Sequence, residues 1–258
     1  MLTQLLLDDY QVKPGEYIGQ AWEATRSHWL IFIGYLVLLL AISFALSLAA
    51  FPIDLIMSLI LAPLFNAGWF MLAYGYLKNQ TVGYPDLLRI LVRFFDFLMI
   101  DLSFIGLSLL LSLTLYIVSV VSLSTCAGAT LVVLAKNQGI NVGYVDLQQG
   151  LPALMLASFL VGLLIINILI SMVYLGTVLM FSKLLVIDQK INFWLAMVYS
   201  WRIVKRNFWP WLWFLVLLVL INLGGSLLCG LGLGLTIPLT FCALTRAYLD
   251  VVHQETAV

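Results

Sequence analysis

Six polar side chains stand within or at the ends of long apolar runs, and these could do chemistry: Asn66, Asp101, Asn167, Lys183, Asn222 and Arg246. An asparagine in apolar surroundings either bonds across to a neighbouring helix, a contact worth about 0.6 and at most about 2 kcal/mol, or holds a polar solute. A carboxylate and an ammonium there either pair with one another or carry protons. Asp101 follows Asp96 and Lys183 precedes Asp188 by the same interval, which places each roughly 7 Å inside its run along a helix of about 1.5 Å rise. Depths match and signs are opposite, so Lys183 is the expected partner of Asp101. Arg246 is the rival donor, although Asp250 one turn on offers it an intrahelical partner. An unpaired or protonated Asp101 is the remaining alternative.

Other constellations that carry chemistry are missing their parts. His28 and His253 are the only histidines, and neither has neighbours spaced for a zinc site or a catalytic triad. Gly230-Leu231-Gly232-Leu233-Gly234 has no following Lys-Ser/Thr and no acidic residue at dinucleotide spacing, so it reads as a hairpin turn. Cys126, Cys229 and Cys242 lie in apolar context without CxxC spacing and are expected as free thiols. No metal, cofactor or catalytic residue is expected.

The elements that must position these residues follow from composition. Apolar residues make up 64% of the 258 positions and charged residues 9%, against about 25% charge in a soluble domain. A bilayer can solvate that much apolar surface and water cannot, so the chain reads as an all-α, polytopic integral membrane protein. Twelve basic and twelve acidic residues cancel, leaving no charge argument for nucleic acid. The start, Met1 to Tyr10, lacks the pattern of a cleavable signal.

A crossing needs about 20 apolar residues. Residues 29–50 and 55–77 supply two, separated by Phe51-Pro52-Ile53-Asp54. The run 97–135 would be nearly 60 Å long as one helix against a core of about 30 Å, so it is expected to fold back near Ser119 to Ser124. The same reasoning divides 152–187 near Val173 to Gly176. The run 208–249 turns at Gly224, Gly225, Gly230, Gly232 and Gly234, where absent side chains allow close approach. This gives eight apolar segments in four hairpins, of which 122–135 and 174–187 are short, with six crossings as the alternative.

The joints are polar and partly repeated: Lys78-Asn79-Gln80 with Val82-Gly83-Tyr84, Lys136-Asn137-Gln138 with Val142-Gly143-Tyr144, and the looser Asp188-Gln189-Lys190. Amphipathic pieces flank them. In 85–96, Asp86, Arg89, Arg93 and Asp96 share one face, leaving Leu88, Leu91, Val92 and Phe95 on the other. In 16–28, Ile18, Ala21, Trp22 and Thr25 form the apolar stripe. In 193–206, Arg202, Lys205 and Arg206 stand against Trp194, Met197, Val198 and Trp201. Such helices are expected to lie at the interface and join spans. Trp209, Trp211 and Trp213 are expected to anchor the next span in the headgroup layer.

The first and last hairpins align, Ala21-Trp22 with Ser200-Trp201, and Pro63 near the position of Pro238. The unit of interfacial helix, span, turn, span thus recurs over about 15–77, 84–135, 144–187 and 192–250 within a single membrane domain. Interruptions matched between related halves, such as Pro63 and Pro238, are also what a transporter site looks like in sequence.

At Ala196, Ser200-Trp201, Val204-Lys205, Asn207-Phe208-Trp209, Ile221-Asn222-Leu223-Gly224, Cys229-Gly230-Leu231-Gly232 and Ala247-Tyr248-Leu249-Asp250 the chain resembles a broad group of uncharacterised bacterial multi-pass inner-membrane proteins. That group is distantly similar to the membrane domain of glycerophosphoryl diester phosphodiesterases. The resemblance implies a bacterial cytoplasmic membrane and supplies no catalytic residue; nothing here matches the phosphodiesterase barrel.

In the eight-segment scheme all basic residues lie on the side of the termini, which the positive-inside rule makes cytoplasmic. Six crossings would move Lys136 and its joint outside. The leading expectation is a non-enzymatic protein acting through lipid or protein contacts, in assembly, scaffolding or membrane homeostasis. Its partners would be membrane lipids, a membrane protein or a second copy. A small transporter or channel for an amphiphilic or small polar solute is the second reading and an intramembrane enzyme the third.

Overall fold

In long runs of Leu, Ile, Val and Phe, the only local way to satisfy every backbone polar group without water is the helix. The computed structural model describes residues 10–48, 53–78, 91–138, 150–227 and 232–253, and all regular structure among them is helical. Its elements are α1 (Pro14–Ser27), α2 (Trp29–Ser47), α3 (Ile53–Leu77), α4 (Phe94–Gln138), α5 (Gly150–Val178), α6 (Ser182–Gln189), α7 (Phe193–Arg206), α8 (Phe208–Leu227) and α9 (Leu233–His253). Among the described residues, six segments are long and apolar enough to cross a membrane: Trp29–Ser47, Ile60–Leu77, Phe94–Ser122, Ser158–Gln189, Phe208–Leu227 and Leu233–Val252. Most of the Lys78 joint and of the Lys136 joint, residues 85–90, Phe51-Pro52, Cys229 and Gly230 lie outside the described residues, as do the side chains of Cys126 and His253.

Two expected reversals are absent. Helix α4 runs 45 residues without a break through Ser119 to Ser124. The serines there do not disrupt it, because their hydroxyls bond back into the helix: Ser119 Oγ to the Tyr116 carbonyl at 2.8 Å, Ser122 Oγ to Val118 at 2.7 Å and Ser124 Oγ to Val121 at 2.9 Å. Likewise α5 continues through Val173 to Gly176 and ends at Val178. Length beyond one bilayer does not by itself force a turn, and the six-crossing alternative fits these helices.

The chain divides into two compact units, Met1–Ser103 with Thr177–Val258, and Phe104–Gly176. In the first, α9 is central: it packs on α1, α2, α3 and α8. Of its span, 61% is buried, against 6% for α2, whose Leu38, Leu40 and Phe44 face outward. Phe241 of α9 stacks on Trp69 of α3 at 5.7 Å and meets Phe70 edge-on at 4.8 Å. Pro63 and Pro238 are both buried, inside α3 and α9. The second unit is built from α4 and α5, with Ser108, Ser112, Asn167 and Ser171 buried and Leu109, Leu110, Leu113, Ile165 and Ile166 exposed.

Helices α8 and α9 come close enough to touch backbones. A Cβ added to Gly232 would lie 2.5 Å from the Gly225 carbonyl oxygen, and one on Gly225 would lie 2.6 Å from Thr236 Oγ1. Gly224 and Gly234, from the same cluster, have room: nothing lies within 4 Å of a Cβ on Gly224, and Gly234 meets only Leu36 at 3.5 Å.

Candidate functional site

The densest polar constellation in the first unit is centred on Asp188, at the end of α6, whose side chain is 8% exposed. Tyr74 OH donates to Oδ1, Tyr248 OH donates to Oδ2 at 2.8 Å, and Gln189 Nε2 donates to Oδ2 at 2.7 Å. Lys78 Nζ lies 3.6 Å from Oδ1, donates to Tyr74 OH, and sits over the Tyr74 ring at 4.6 Å. Tyr74 lies on α3 and Lys78, one turn on, directly follows its end, while Tyr248 comes from α9, so three helices meet at one carboxylate. Its lone pairs are occupied and its charge is matched by Lys78. A carboxylate held this way ties helices together; it has no free oxygen for a substrate.

Five residues earlier on the same helix, Lys183 Nζ lies 2.7 Å from Asp101 Oδ1, with the side chains 14% and 29% exposed. The structure therefore brings together the two ions that depth and sign had matched. Arg246 turns elsewhere and donates through Nε to Gln20 Oε1 of α1. Asp250 accepts from Tyr17 OH of α1 at 2.8 Å. Burial first, and then the Asp250 carboxylate, hold the Tyr17 phenol well above its ordinary pKa.

The joint between α6 and α7 is clamped by two residues of the amphipathic stretch before and at the start of α4. Arg93 donates to the carbonyls of Lys190 at 2.7 Å, Ile191 at 3.2 Å and Val186 at 3.4 Å. Asp96 Oδ1 accepts the N–H of Phe193 at 3.2 Å, capping α7, whose own Asn192 makes no cap bond. Lys190, between them, has φ 53°, a left-handed conformation unusual for a residue with a Cβ. Of the charged face of this stretch, Arg93 and Asp96 thus turn into the protein, while Leu91, Val92 and Phe95 are exposed.

A further hydroxyl bridges the interruption between α5 and α6. Ser200 Oγ donates to the Val178 carbonyl at 2.8 Å and accepts from the Phe181 N–H at 3.3 Å, taking up backbone groups that the turn at Leu179–Phe181 frees.

The asparagines are placed differently from one another. Asn167 Nδ2 bonds its own helix at the Leu163 carbonyl, 2.9 Å, and reaches Ser119 Oγ of α4 at 3.5 Å, inside the second unit. Asn222 Nδ2 bonds the Leu218 carbonyl at 2.9 Å and Thr240 Oγ1 of α9 at 2.6 Å, while its buried Oδ1 and Thr236 Oγ1 have no partner among the described residues. Asn66 is half-buried on α3. No group of three or more metal-ligating side chains gathers among the described residues. Cys242 is a buried free thiol.

Two expected surfaces are rearranged. Trp209 and Trp213 are exposed, 76% and 58%, but Trp211 is fully buried. A spacing of two rotates successive side chains by about 200°, so alternate indoles cannot share a face. Trp211 Nε1 instead donates to Tyr10 OH at 2.8 Å, and that hydroxyl donates to the Ile203 carbonyl at 2.5 Å. On α7, Met197 is buried while Trp194 and Trp201 are exposed beside the cations; on α1, Tyr17, Ala21 and Thr25 face inward and Trp22 outward. Sequence reasoning missed Tyr74, Lys78, Tyr248 and Ser200. The signal available was a tyrosine and a lysine one turn apart at the end of α3.

No protein-family model matches the chain, and none of the curated proteins or solved structures compared with it does.

Proposed function

We propose that this is a non-enzymatic multi-pass protein of a bacterial cytoplasmic membrane that acts through its lipid and protein contacts. The observation that carries the reading is where its polar groups go. Asp188, Asp101, Lys183, Arg93, Asn167 and Asn222 are each bonded to side chains or backbone of the same chain. The outward faces of the spans are meanwhile apolar, as on α2 with Leu38, Leu40 and Phe44. A chain that spends its buried polar groups on internal ties keeps its outer surface for recognition.

Six crossings put α1, α7, both termini and the joint before α4 on one side. Of the twelve Lys and Arg residues only Lys136 then falls on the other. That bias favours cytoplasmic termini. What supports a repeat is that the first and last pairs of spans each follow an amphipathic helix and carry a proline in the second span, and that the spans bearing Pro63 and Pro238 pack on each other.

One observation favours transport as a second reading. The paired prolines lie inside two helices that pack on each other, and Asn222, whose Nδ2 bonds Thr240 two residues past Pro238, keeps a buried Oδ1 without a partner among the described residues.

The test is purification of the full chain from native membranes with identification of what stays bound. Retained phospholipid, a second membrane protein or a second copy is the expected result. Protein that emerges free of all three overturns the reading.

A further inference from the structure

Between Asp188 and Asp250 the chain has no acidic residue, yet it carries Lys190, Arg202, Lys205, Arg206 and Arg246. Three of these cations fall in the last turn and a half of α7, a helix joining the Ser158–Gln189 span to the Phe208–Leu227 span and therefore lying where the first ends and the second begins. Its inner face is fixed: Ala196, Met197, Ser200, Ile203 and Val204 are buried. The outer face carries Trp194 at 63% and Trp201 at 40% exposure, continued past the helix end by Trp209 at 76%. Arg202 and Lys205 stand on that outer face one turn apart and are exposed. Among the described residues neither has a carboxylate partner, and Lys205 Nζ rests 4.7 Å above the Trp201 ring.

Exposed indoles seek the headgroup layer, and cations one turn apart without counter-ions seek anionic oxygen. A solvated surface explains the cations alone. It does not explain two large exposed indoles interleaved with them on a helix whose other face is anchored in the core.

We propose that the outer face of α7 is a headgroup site for anionic phospholipid. Arg202 and Lys205 bind the phosphate-bearing headgroup, while Trp194, Trp201 and Trp209 take the glycerol and upper acyl region. The planar guanidinium of Arg202 suits two phosphate oxygens at once, and Lys205, steadied over Trp201, acts as a point charge. This rests on the reading that the protein acts through lipid contacts, and it names the lipid class and the place.

The test uses the full-length protein in a neutral detergent, titrated with phosphatidylglycerol or phosphatidylcholine and read by native mass spectrometry. Wild type is expected to prefer phosphatidylglycerol. Arg202→Gln and Lys205→Gln should each weaken its binding about fivefold, and the double variant about 25-fold, with phosphatidylcholine binding unchanged. The charge-conserving Arg202→Lys/Lys205→Arg variant should keep the preference. Lys13→Gln, whose ammonium is already 3.5 Å from Glu16, should bind as wild type does. Excess inorganic phosphate should not displace the lipid, since it lacks the acyl region that the indoles hold. Undiminished preference in the double variant overturns the site, as does displacement by phosphate. Equal binding of both lipids by wild type also overturns it and leaves the wider lipid-contact reading standing. Binding of neither overturns both.

Discussion

Arg93 reaches 2.7 Å to the carbonyl of Lys190, the described non-glycine residue with a left-handed backbone. The guanidinium thereby holds a turn that its own sequence disfavours, and with Asp96 it locks the entry to α7. Arg93→Ala should lower the unfolding temperature of the detergent-solubilised protein, at a cost of about 1.5–3 kcal/mol for the lost charged bonds. Arg93→Lys should recover less than half of this, because an ammonium cannot span three carbonyls. Lys190→Gly should stabilise by about 0.5–1 kcal/mol by removing the strained Cβ. Equal stability of Arg93→Ala and wild type would show that the clamp does nothing.

Ser200 serves as a substitute turn of helix for Val178 and Phe181. Ser200→Ala leaves a buried carbonyl and a buried N–H without partners and should cost about 1–3 kcal/mol. Ser226→Ala is the control, since that exposed hydroxyl bonds only its own helix at Leu223. If chemical unfolding finds the two variants alike, Ser200 is not holding the interruption.

Asp101 and Lys183 give a pairwise test. Asp101→Asn, Lys183→Gln and the double variant, compared in a thermal-stability assay, should show a coupling of about 1 kcal/mol, modest because both groups keep some exposure. Single losses that simply add would mean the two ions are neighbours without being partners.

The glycines of the last hairpin separate into those that matter and those that do not. Gly232→Ala must push α8 and α9 apart, because its Cβ would meet Gly225 backbone, and should cost about 1–3 kcal/mol or more. Gly224→Ala, with open space around it, should be neutral or slightly stabilising. Matching unfolding temperatures for the two would contradict the close approach.

Much of the fold is legible in the sequence because apolar length has one main meaning: α2 and α8 fall within the runs that length assigns, and α3 and α9 overrun theirs by only two and four residues. Depth and sign likewise bring Asp101 and Lys183 together. The two reversals rest on length alone, and length beyond one bilayer does not break a helix whose hydroxyls bond back into it, as those of Ser119, Ser122 and Ser124 do. The Asp188 cluster was not legible, since Tyr74, Asp188 and Tyr248 come from three helices and no local spacing links them. Trp211 was misread for a local reason: grouping it with Trp209 and Trp213 ignored the rotation of the helix.

The central claim is that the buried polar residues hold helices together and do not conduct a solute. The most direct measurement is ion and small-solute flux across liposomes containing the purified full-length protein, beside protein-free liposomes. The account predicts equal flux in the two, unchanged by Asn222→Leu. Flux above the protein-free level that Asn222→Leu abolishes, in a variant that still folds, would contradict it.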